Sequence, residues 1–179
     1  SLRGQGEATV LAITATSSSW NMIVANGLSF IEIADLTIDG AAAVGGNQSA
    51  VSFDQVSTSS VRNVRHLSLR GPSLAIDDST AIRVTQSYFG GTNGFSDTAL
   101  NTGTVEGLVF ANNELVGLGL FLQDTHYSRV VGNTINGSGI SLLLGCSFNT
   151  VTGNTITGSN GDGILIVESS VDNIIDANF

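Results

Sequence analysis

Two short stretches, GNTING at residues 132–137 and GNTITG at residues 153–158, repeat almost letter for letter, 21 residues apart. If the asparagine of each stretch is taken as an anchor, an equivalent position can be assigned in every repeat of the chain. The anchors are Leu36, Leu67, Ser87, Asn113, Asn133, Asn154 and Asn178, with spacings of 31, 20, 26, 20, 21 and 24 residues. A repeat of this length predicts a solenoid in which each repeat forms one turn.

The residues around these anchors form regular columns. The position three before the anchor and the position two after it are apolar wherever the chain reaches them. The position four after the anchor is glycine in six turns: Gly40, Gly71, Gly91, Gly117, Gly137 and Gly158. Alternating apolar and polar residues are typical of a strand with one buried face, and glycine suits a turn. We therefore predict an all-β fold, a single-stranded right-handed parallel β-helix of about seven to eight turns, with residues 1–179 as one domain.

The last four anchors are all asparagines. Because neighbouring strands stack about 4.8 Å apart, amides at equivalent positions can hydrogen-bond along the axis of a solenoid. The sequence therefore predicts a ladder of buried side-chain amides at Asn113, Asn133, Asn154 and Asn178. Two long repeats, which carry residues 41–49 and 91–96, predict loops on one face of the solenoid.

Composition limits the classes of partner. The formal net charge is −9 and all six basic residues are arginines, which excludes the basic surface that nucleic-acid binding needs. The longest apolar runs have the length of a strand, so insertion into a membrane is excluded as well. One cysteine, Cys146, cannot form a disulfide within the chain, and we expect it to be a small buried side chain. An acidic surface without lysine suits an extracellular or cell-surface protein.

The Gly-Asn-Thr-Ile pattern is followed by a Gly-Ile-x-Leu strand at 139–142, and the opening residues 3–11 look like a first coil. Together these features resemble the right-handed β-helix repeats of the pectate-lyase-like superfamily. That superfamily includes polysaccharide lyases, glycoside hydrolases, alginate epimerases, phage tailspikes and non-catalytic surface proteins. The resemblance implies that the partner is a polysaccharide, which the chain either cleaves as a lyase or hydrolase or binds as a tailspike does. The alternative is a structural or adhesive solenoid that forms a fibre, a spacer or a surface assembly.

The family's catalytic motifs are incomplete in this sequence. Of the three elements typical of polygalacturonases, only the paired aspartate has a counterpart, at Asp77-Asp78. The Tyr-Gly-Phe-Asp-Pro-His stretch of alginate epimerases is missing. The sequence alone therefore does not choose between an enzyme and a binding protein.

The predicted register places acidic residues in one column, nine positions before the anchor. Asp78 and Asp124 are two turns apart in this column, with Thr104 between them. Their backbones should be separated by roughly 9.6 Å, and the two carboxyls of inverting glycosidases are about 6.5–9.5 Å apart. The spacing therefore predicts a general acid and base pair.

Neighbouring columns add further candidate residues. Glu106 should lie beside His126 on adjacent turns, and Arg83 and Arg129 should share one face. A catalytic site would then contain Asp78, Asp124, Glu106 and His126, with Arg83, Arg129 and Tyr127 as substrate contacts. A lyase variant would use an arginine as base and would add calcium, the one candidate cofactor. The alternative is that these residues are turn aspartates and surface ion pairs, which are common in any protein.

Tyr127 and Phe148 share a column six positions before the anchor, together with Phe30 and Val61. Such aromatic rings can stack on sugars. Because the column contains valine and phenylalanine, we expect instead an aromatic stack inside the solenoid. At the end of the chain, the last turn stops one residue short of its apolar position, which predicts a longer polypeptide or end-to-end stacking of copies.

Overall fold

The computed structural model describes residues 1–6, 8–12, 21–40, 49–69, 71–92, 98–159 and 161–179. The strands are β1 Leu2–Arg3, β2 Val10–Ala12, β3 Ile23–Asn26, β4 Glu32–Asp39, β5 Val51–Asp54, β6 Ser57–Leu69, β7 Leu74–Asp77, β8 Ser79–Thr85, β9 Tyr88–Thr92, β10 Thr98–Thr102, β11 Val105–Glu106, β12 Val109–Ala111, β13 Glu114–Val116, β14 Gly119–Gln123, β15 Thr125–His126, β16 Arg129–Val131, β17 Thr134–Asn136, β18 Gly139–Leu143, β19 Thr150–Thr152, β20 Thr155–Thr157, β21 Ile164–Ile166 and β22 Ile174–Asp176. The loops predicted at 41–49 and 91–96 fall almost entirely outside the described residues.

The strands form two parallel sheets that stack turn upon turn. One sheet has fifteen strands, and the other has seven in the order β21-β18-β14-β10-β7-β5-β3. Each turn contributes to both sheets, so the chain winds as a parallel β-helix, with six complete turns between Leu36 and Asn178. The predicted all-β parallel solenoid is confirmed. No helix long and apolar enough to cross a membrane occurs among the described residues.

The predicted register is wrong in the second turn, by three residues. Leu36 pairs with Val64 rather than with Leu67, and the backbone N–H of Val64 donates to Ser87 Oγ at 3.2 Å. Strand β6 carries Val61, Val64 and Leu67 at intervals of three, so a shift by three leaves the apolar pattern almost unchanged. The second anchor is therefore Val64, and the remaining anchors stand as predicted.

The shift also corrects the glycine column. Because Leu67 pairs with Gly90, the residue beside Gly91 is Ser68, and Gly71 lies outside the column. Ser68 has a φ of 54°, in the left-handed region that glycine usually occupies. Because this corner has a serine, the spacing of the glycines in the sequence does not reveal it.

In addition to the corner four after the anchor, the turns bend at single residues with positive φ that form three further columns. The column nine before the anchor contains Gly27, Gln55, Asp78, Asp124, Gly145 and Ser169. The column six before contains Phe30, Thr58, Ala81, Gly107, Tyr127, Phe148 and Asp172. The column one before contains Asp35, Asn63, Gln86, Asn112, Gly132, Gly153 and Ala177. Most corner residues have a Cβ, so the fold accepts a strain of about 1–2 kcal/mol at each such position.

The predicted amide ladder is present inside the last of these corners. Asn113 Nδ2 donates to Asn133 Oδ1 at 3.1 Å, Asn133 Nδ2 donates to Asn154 Oδ1 at 2.9 Å, and Asn154 Nδ2 donates to Asn178 Oδ1 at 2.8 Å. Each Oδ1 also accepts the backbone N–H of the preceding anchor. Asparagine suits the position because one short side chain offers both an acceptor and two donors, which the bent backbone lacks.

A second ladder, which the sequence analysis missed, lies inside the corner six before the anchor. The backbone N–H of Ser128 donates to Asn149 Oδ1 at 2.9 Å, and Asn149 Nδ2 donates to Asn173 Oδ1 at 3.0 Å. Leu108 continues the series, since its N–H donates to Ser128 Oγ. Polar residues therefore follow the left-handed corners because they satisfy backbone groups that the bend removes from the sheet.

An imidazole ring lies among the apolar core residues of the second turn. His66 is fully buried, stacks on Phe89 with ring centroids 4.6 Å apart, and makes no hydrogen bond with either ring nitrogen. Burial lowers the pKa of His66 to about 3, so the ring is neutral at physiological pH. Cys146 is buried as predicted, and burial raises the pKa of its thiol.

Candidate functional site

The acidic column forms as predicted. Val105 pairs with Ser79 on one side and with Thr125 on the other, so the preceding residues Asp78, Thr104 and Asp124 follow one another on successive turns. Thr104 Oγ1 donates to Asp124 Oδ2 at 2.9 Å. The structure places these residues but does not test a catalytic role, and the acid and base assignment of Asp78 and Asp124 stays a prediction.

Asp124 takes part in a chain of hydrogen bonds that the sequence analysis only partly foresaw. His126 Nε2 lies 3.0 Å from Asp124 Oδ1, and His126 Nδ1 lies 2.8 Å from Ser147 Oγ. The side chains of His126 and Asp124 are 29% and 49% exposed, so solvent reaches both. Ser147 occupies the same column as His126, seven before the anchor, and extending that column by one turn would have found it.

The other predicted site residues lie close by but do not join this chain. Glu106 pairs with His126 through the backbone, whereas both ring nitrogens of His126 bond to other residues. Arg83 and Arg129 flank Val109 on adjacent strands, and both are exposed. The predicted neighbours are therefore correct, and the predicted roles of Glu106, Arg83 and Arg129 stay predictions.

The aromatic pair lies on the outside of the solenoid, so the predicted internal stack is wrong. Tyr127 and Phe148 are 60% and 51% exposed, and their rings stack with centroids 5.2 Å apart at an interplanar angle of 4°. Both residues have positive φ, 50° and 57°, which turns their side chains away from the core at the corner. Val61 belongs to a buried column instead, because of the second-turn register.

Calcium does not fit the side chains that the structure describes. Protein calcium sites take about 6–8 oxygen ligands, several of them carboxylates. Nowhere in the described ranges do three or more His, Cys, Asp or Glu side chains come together in a way that could hold a metal ion.

A polar groove follows the corner one before the anchor, across four turns. It has a volume of about 660 Å³ and is lined by Asn63, Val64, Arg65, Gln86, Ser87, Tyr88, Asn112, Asn113, Glu114, Gly132 and Thr134. The sequence analysis missed this groove because its second anchor put His66, rather than Asn63, beside Gln86 and Asn112. With the correct anchor, a column of corner amides is visible in the sequence.

Contacts within the groove order its side chains. Asn63 Nδ2 donates to Asp35 Oδ1 at 2.9 Å. This hydrogen bond is the main cause that lowers the pKa of Asp35 below its usual range, and the hydrogen bond and charge of Arg62 lower it further. The Arg65 guanidinium lies over the Tyr88 ring, 5.2 Å from its centroid. The Tyr88 ring lies against Gly90, where any side chain would overlap it. These contacts hold the side chains of Arg65 and Tyr88 in place along the groove.

A second groove of about 670 Å³ follows the corner four after the anchor. Its polar lining includes Asn136, Ser138, Ser141, Ser159 and Asp162. It lacks an aromatic ring among its lining residues, and it spans the later turns only.

Comparison with solved structures gives distant similarities of fold. The A-module of mannuronan C-5 epimerase AlgE4 from Azotobacter vinelandii aligns with 99% of this chain and 78% of its own, at 15% identity and a TM-score of 0.23. The AlgE6 A-module of the same organism aligns with 98% and 77%, at 13% identity and a TM-score of 0.26. HetL, a pentapeptide repeat protein from the cyanobacterium Nostoc sp. strain PCC 7120, aligns with 86% of both chains, at 7% identity and a TM-score of 0.22.

No curated protein sequence matches the chain. The model of the right-handed β-helix region matches residues 16–179, most of the chain. The chain therefore belongs to the right-handed β-helix family, in agreement with the resemblance of its repeats to the pectate-lyase-like superfamily.

Proposed function

We propose that this β-helix binds an extended polysaccharide along the groove over the corner one before the anchor. The observation that carries the proposal is the lining of that groove: corner amides from Asn63, Gln86 and Asn112, beside the ordered Arg65–Tyr88 pair. Amides and hydroxyls exchange hydrogen bonds with sugar hydroxyls, and a tyrosine face stacks on a sugar ring.

The periodicity of the solenoid favours a polymer over a small molecule. Equivalent positions recur about every 4.8 Å along the axis, so a chain lying in the groove meets a similar polar contact on each turn. Many weak contacts at fixed spacing give affinity through their number, as in other solenoids with extended binding surfaces.

Charge favours a neutral polysaccharide. The chain carries a formal net charge of −9, which repels an anionic polymer at a distance. The charged residues in the groove lining are Arg65 and Glu114, one of each sign. Together with the lysine-free composition, a glycan partner supports a place outside the cell or on its surface.

Cleavage of the polysaccharide, by a lyase or a glycoside hydrolase, is a second proposal with weaker support. Asp78 and Asp124 share a column, which suits an acid and base pair. However, both oxygens of Asp124 accept hydrogen bonds from the protein itself, one from Thr104 and one from His126 if Nε2 carries the proton. This arrangement favours binding in the manner of a tailspike over hydrolysis through Asp124.

The proposal is tested by affinity measurements on a panel of neutral and acidic polysaccharides. We expect a neutral polysaccharide to bind, and Tyr88→Ala to weaken the binding by about tenfold or more, which corresponds to about 1.4 kcal/mol. Phe30→Ala is the matched control, since this exposed ring lies at a different corner, outside both the groove and the other candidate site, and should leave the affinity unchanged. Equal binding by the Tyr88→Ala variant, with a folded spectrum, would refute the groove. Failure of every polysaccharide to bind would support the structural or adhesive alternative.

A further inference from the structure

The bonding of Ser147 differs from that of the serines in the corner ladders. Ser59, Ser79 and Ser128 each donate to a backbone carbonyl two residues earlier, which completes the bend. Ser147 Oγ instead lies 2.8 Å from an imidazole nitrogen, Nδ1 of His126. This hydroxyl is therefore held by a base rather than used to satisfy the backbone.

The bond between His126 and Asp124 fixes the direction of this contact. An ionised carboxylate only accepts hydrogen bonds, so Nε2 of His126, 3.0 Å from Asp124 Oδ1, carries the ring proton. In the neutral ring, Nδ1 is then a lone pair that accepts the hydroxyl proton of Ser147. A hydroxyl bonded to a base that a carboxylate orients is the arrangement that activates a serine nucleophile.

The position of the carboxylate is itself fixed. Thr104 Oγ1 donates to the second oxygen, Asp124 Oδ2, at 2.9 Å. The four side chains come from three successive turns of the solenoid, so the stacking of the turns sets their spacing. Asp124, His126 and Ser147 are each partly exposed, so a ligand can reach this group of side chains from solvent.

Two exposed aromatic rings stack on each other at the residues that follow His126 and Ser147. Tyr127 follows His126 in sequence and Phe148 follows Ser147, and the two rings stack in parallel on the outer surface. The same column holds Gly107, which reaches a left-handed φ without a side chain. Two large exposed rings at strained positions present a surface on which the ring of a ligand can stack.

We propose that Ser147 is the nucleophile of an esterase site, with His126 as its base, Asp124 as the residue that orients His126, and Tyr127–Phe148 as the platform for the substrate ring. The substrate class is a carboxylic ester attached to a sugar or aryl ring. The site lies at a different corner from the polysaccharide groove and does not depend on it.

The reaction needs water as its only other reactant. Ser147 Oγ bonds to the ester carbonyl carbon while its proton passes to His126 Nδ1. The bond from that carbon to the alcohol oxygen then breaks, and the alcohol leaves with the proton from Nδ1. Water attacks the acyl-serine, gives a proton to His126, and the carboxylic acid departs as Ser147 recovers its hydrogen.

The backbone around the site sets the expected rate. The N–H of Ser147 donates to Thr125 O, and the N–H of Tyr127 donates to Ser147 O. These two amides are committed to the sheet, so water rather than an oxyanion hole binds the developing charge. Because such a hole contributes roughly 10²–10³-fold to the rate, we expect slow turnover that is easiest to see with activated esters.

The experiment uses p-nitrophenyl acetate, acetylated xylan and a fluorophosphonate probe on the whole chain. We expect release of nitrophenol and acetate, and a covalent adduct that mass spectrometry places on Ser147. Ser147→Ala should reduce the rate to that of buffer, and Asp124→Asn should lower it while the adduct still forms more slowly on Ser147. Ser52→Ala, on the other sheet, is the control and should keep the wild-type rate.

Two results would overturn the proposal. One is an ester hydrolysis rate that Ser147→Ala leaves unchanged while the variant keeps the wild-type thermal midpoint. The other is a probe that labels a different residue or none. Because these readouts are independent of polysaccharide affinity, failure here leaves the Tyr88→Ala test of the groove intact.

Discussion

The early and late turns of this solenoid stabilise the corner at the anchor with different side chains. In the late turns, the anchors are asparagines whose amides bond along the axis, and no large apolar side chain is needed at that corner. In the early turns, the anchors are Leu36, Val64 and Ser87, and the core beside them holds the stacked rings of His66 and Phe89. The comparison shows that a corner can be stabilised either by a polar ladder or by apolar packing.

The largest effect that this comparison predicts is on the ladder itself. Asn154→Ala leaves the N–H of Asn133 without its acceptor and removes the donor to Val130 O. The amide of Asn133 keeps Phe110 O, and Asn178 Oδ1 keeps the N–H of residue 154, so each of these loses one hydrogen bond of two. At about 1–3 kcal/mol for the unsatisfied N–H and about 0.5–1.5 kcal/mol for each further hydrogen bond lost, we expect a loss of about 3 kcal/mol in the free energy of unfolding. Urea denaturation measures it.

Ser87→Ala is the matched change in the early half. It removes one acceptor from Val64 N–H and one donor to Thr85 O, so the loss should be smaller, about 1–2 kcal/mol. Equal losses in the two variants would mean that the asparagine ladder stabilises its corner no more than the single Ser87 side chain does.

The second effect concerns His66 and depends on pH. The pKa of His66 is about 3 in the folded chain and about 6.5 when unfolded, so the unfolded chain binds the proton first as the pH falls. Above pH about 6.5, His66 is neutral in both states and does not lower the free energy of unfolding. Below pH about 6.5, the free energy of unfolding falls by about 1.4 kcal/mol per pH unit, down to the folded pKa. Between pH 6.5 and 5, above the range of most carboxylates, we expect a loss of about 2 kcal/mol.

His66→Phe provides the comparison, since it keeps a ring against Phe89 and removes the titrating group. Chemical denaturation at several pH values should show a flat profile for this variant between pH 6.5 and 5. An equally steep profile in the variant would assign the pH dependence to other groups.

The smallest predicted effect tests the strain at the corners with a reciprocal pair. Ala81 and Gly107 occupy the same corner column on adjacent turns, with φ of 53° and 70°. A Cβ on Gly107 would meet only ordinary contacts, 3.7 and 3.8 Å from Ala81 backbone atoms, so φ strain alone decides the result. We expect Ala81→Gly to stabilise and Gly107→Ala to destabilise, each by about 1 kcal/mol or less. Thermal midpoints that move in the same direction for both would contradict the strain argument.

The late half of the fold could be predicted from the sequence because two signals agree there. The apolar column containing Phe110, Val130 and Val151 and the asparagine anchors both fix one register. In the second turn, Val61, Val64 and Leu67 satisfy the apolar pattern in more than one register, and no asparagine decides between them. The pairing between neighbouring strands decides the register of this turn, and sequence spacing does not reveal that pairing.

The candidate site was predictable only in part, for a related reason. Asp78, Thr104 and Asp124 fall in one column because the register is right in those turns. Tyr127 and Phe148 were placed inside because nothing in a tyrosine or phenylalanine signals a left-handed φ. The bonds that turn His126 toward Asp124 and Ser147, rather than toward Glu106, depend on side-chain directions at the corners.

A crystal structure of the chain with an oligosaccharide from its best-binding neutral polysaccharide tests the central claim most directly. The groove account predicts sugar residues in line along the axis, with hydroxyls in hydrogen-bond contact with Gln86 and Asn112 and one ring against the Arg65–Tyr88 pair. An oligosaccharide bound at another face, or crossing the axis without contact to these side chains, would contradict it.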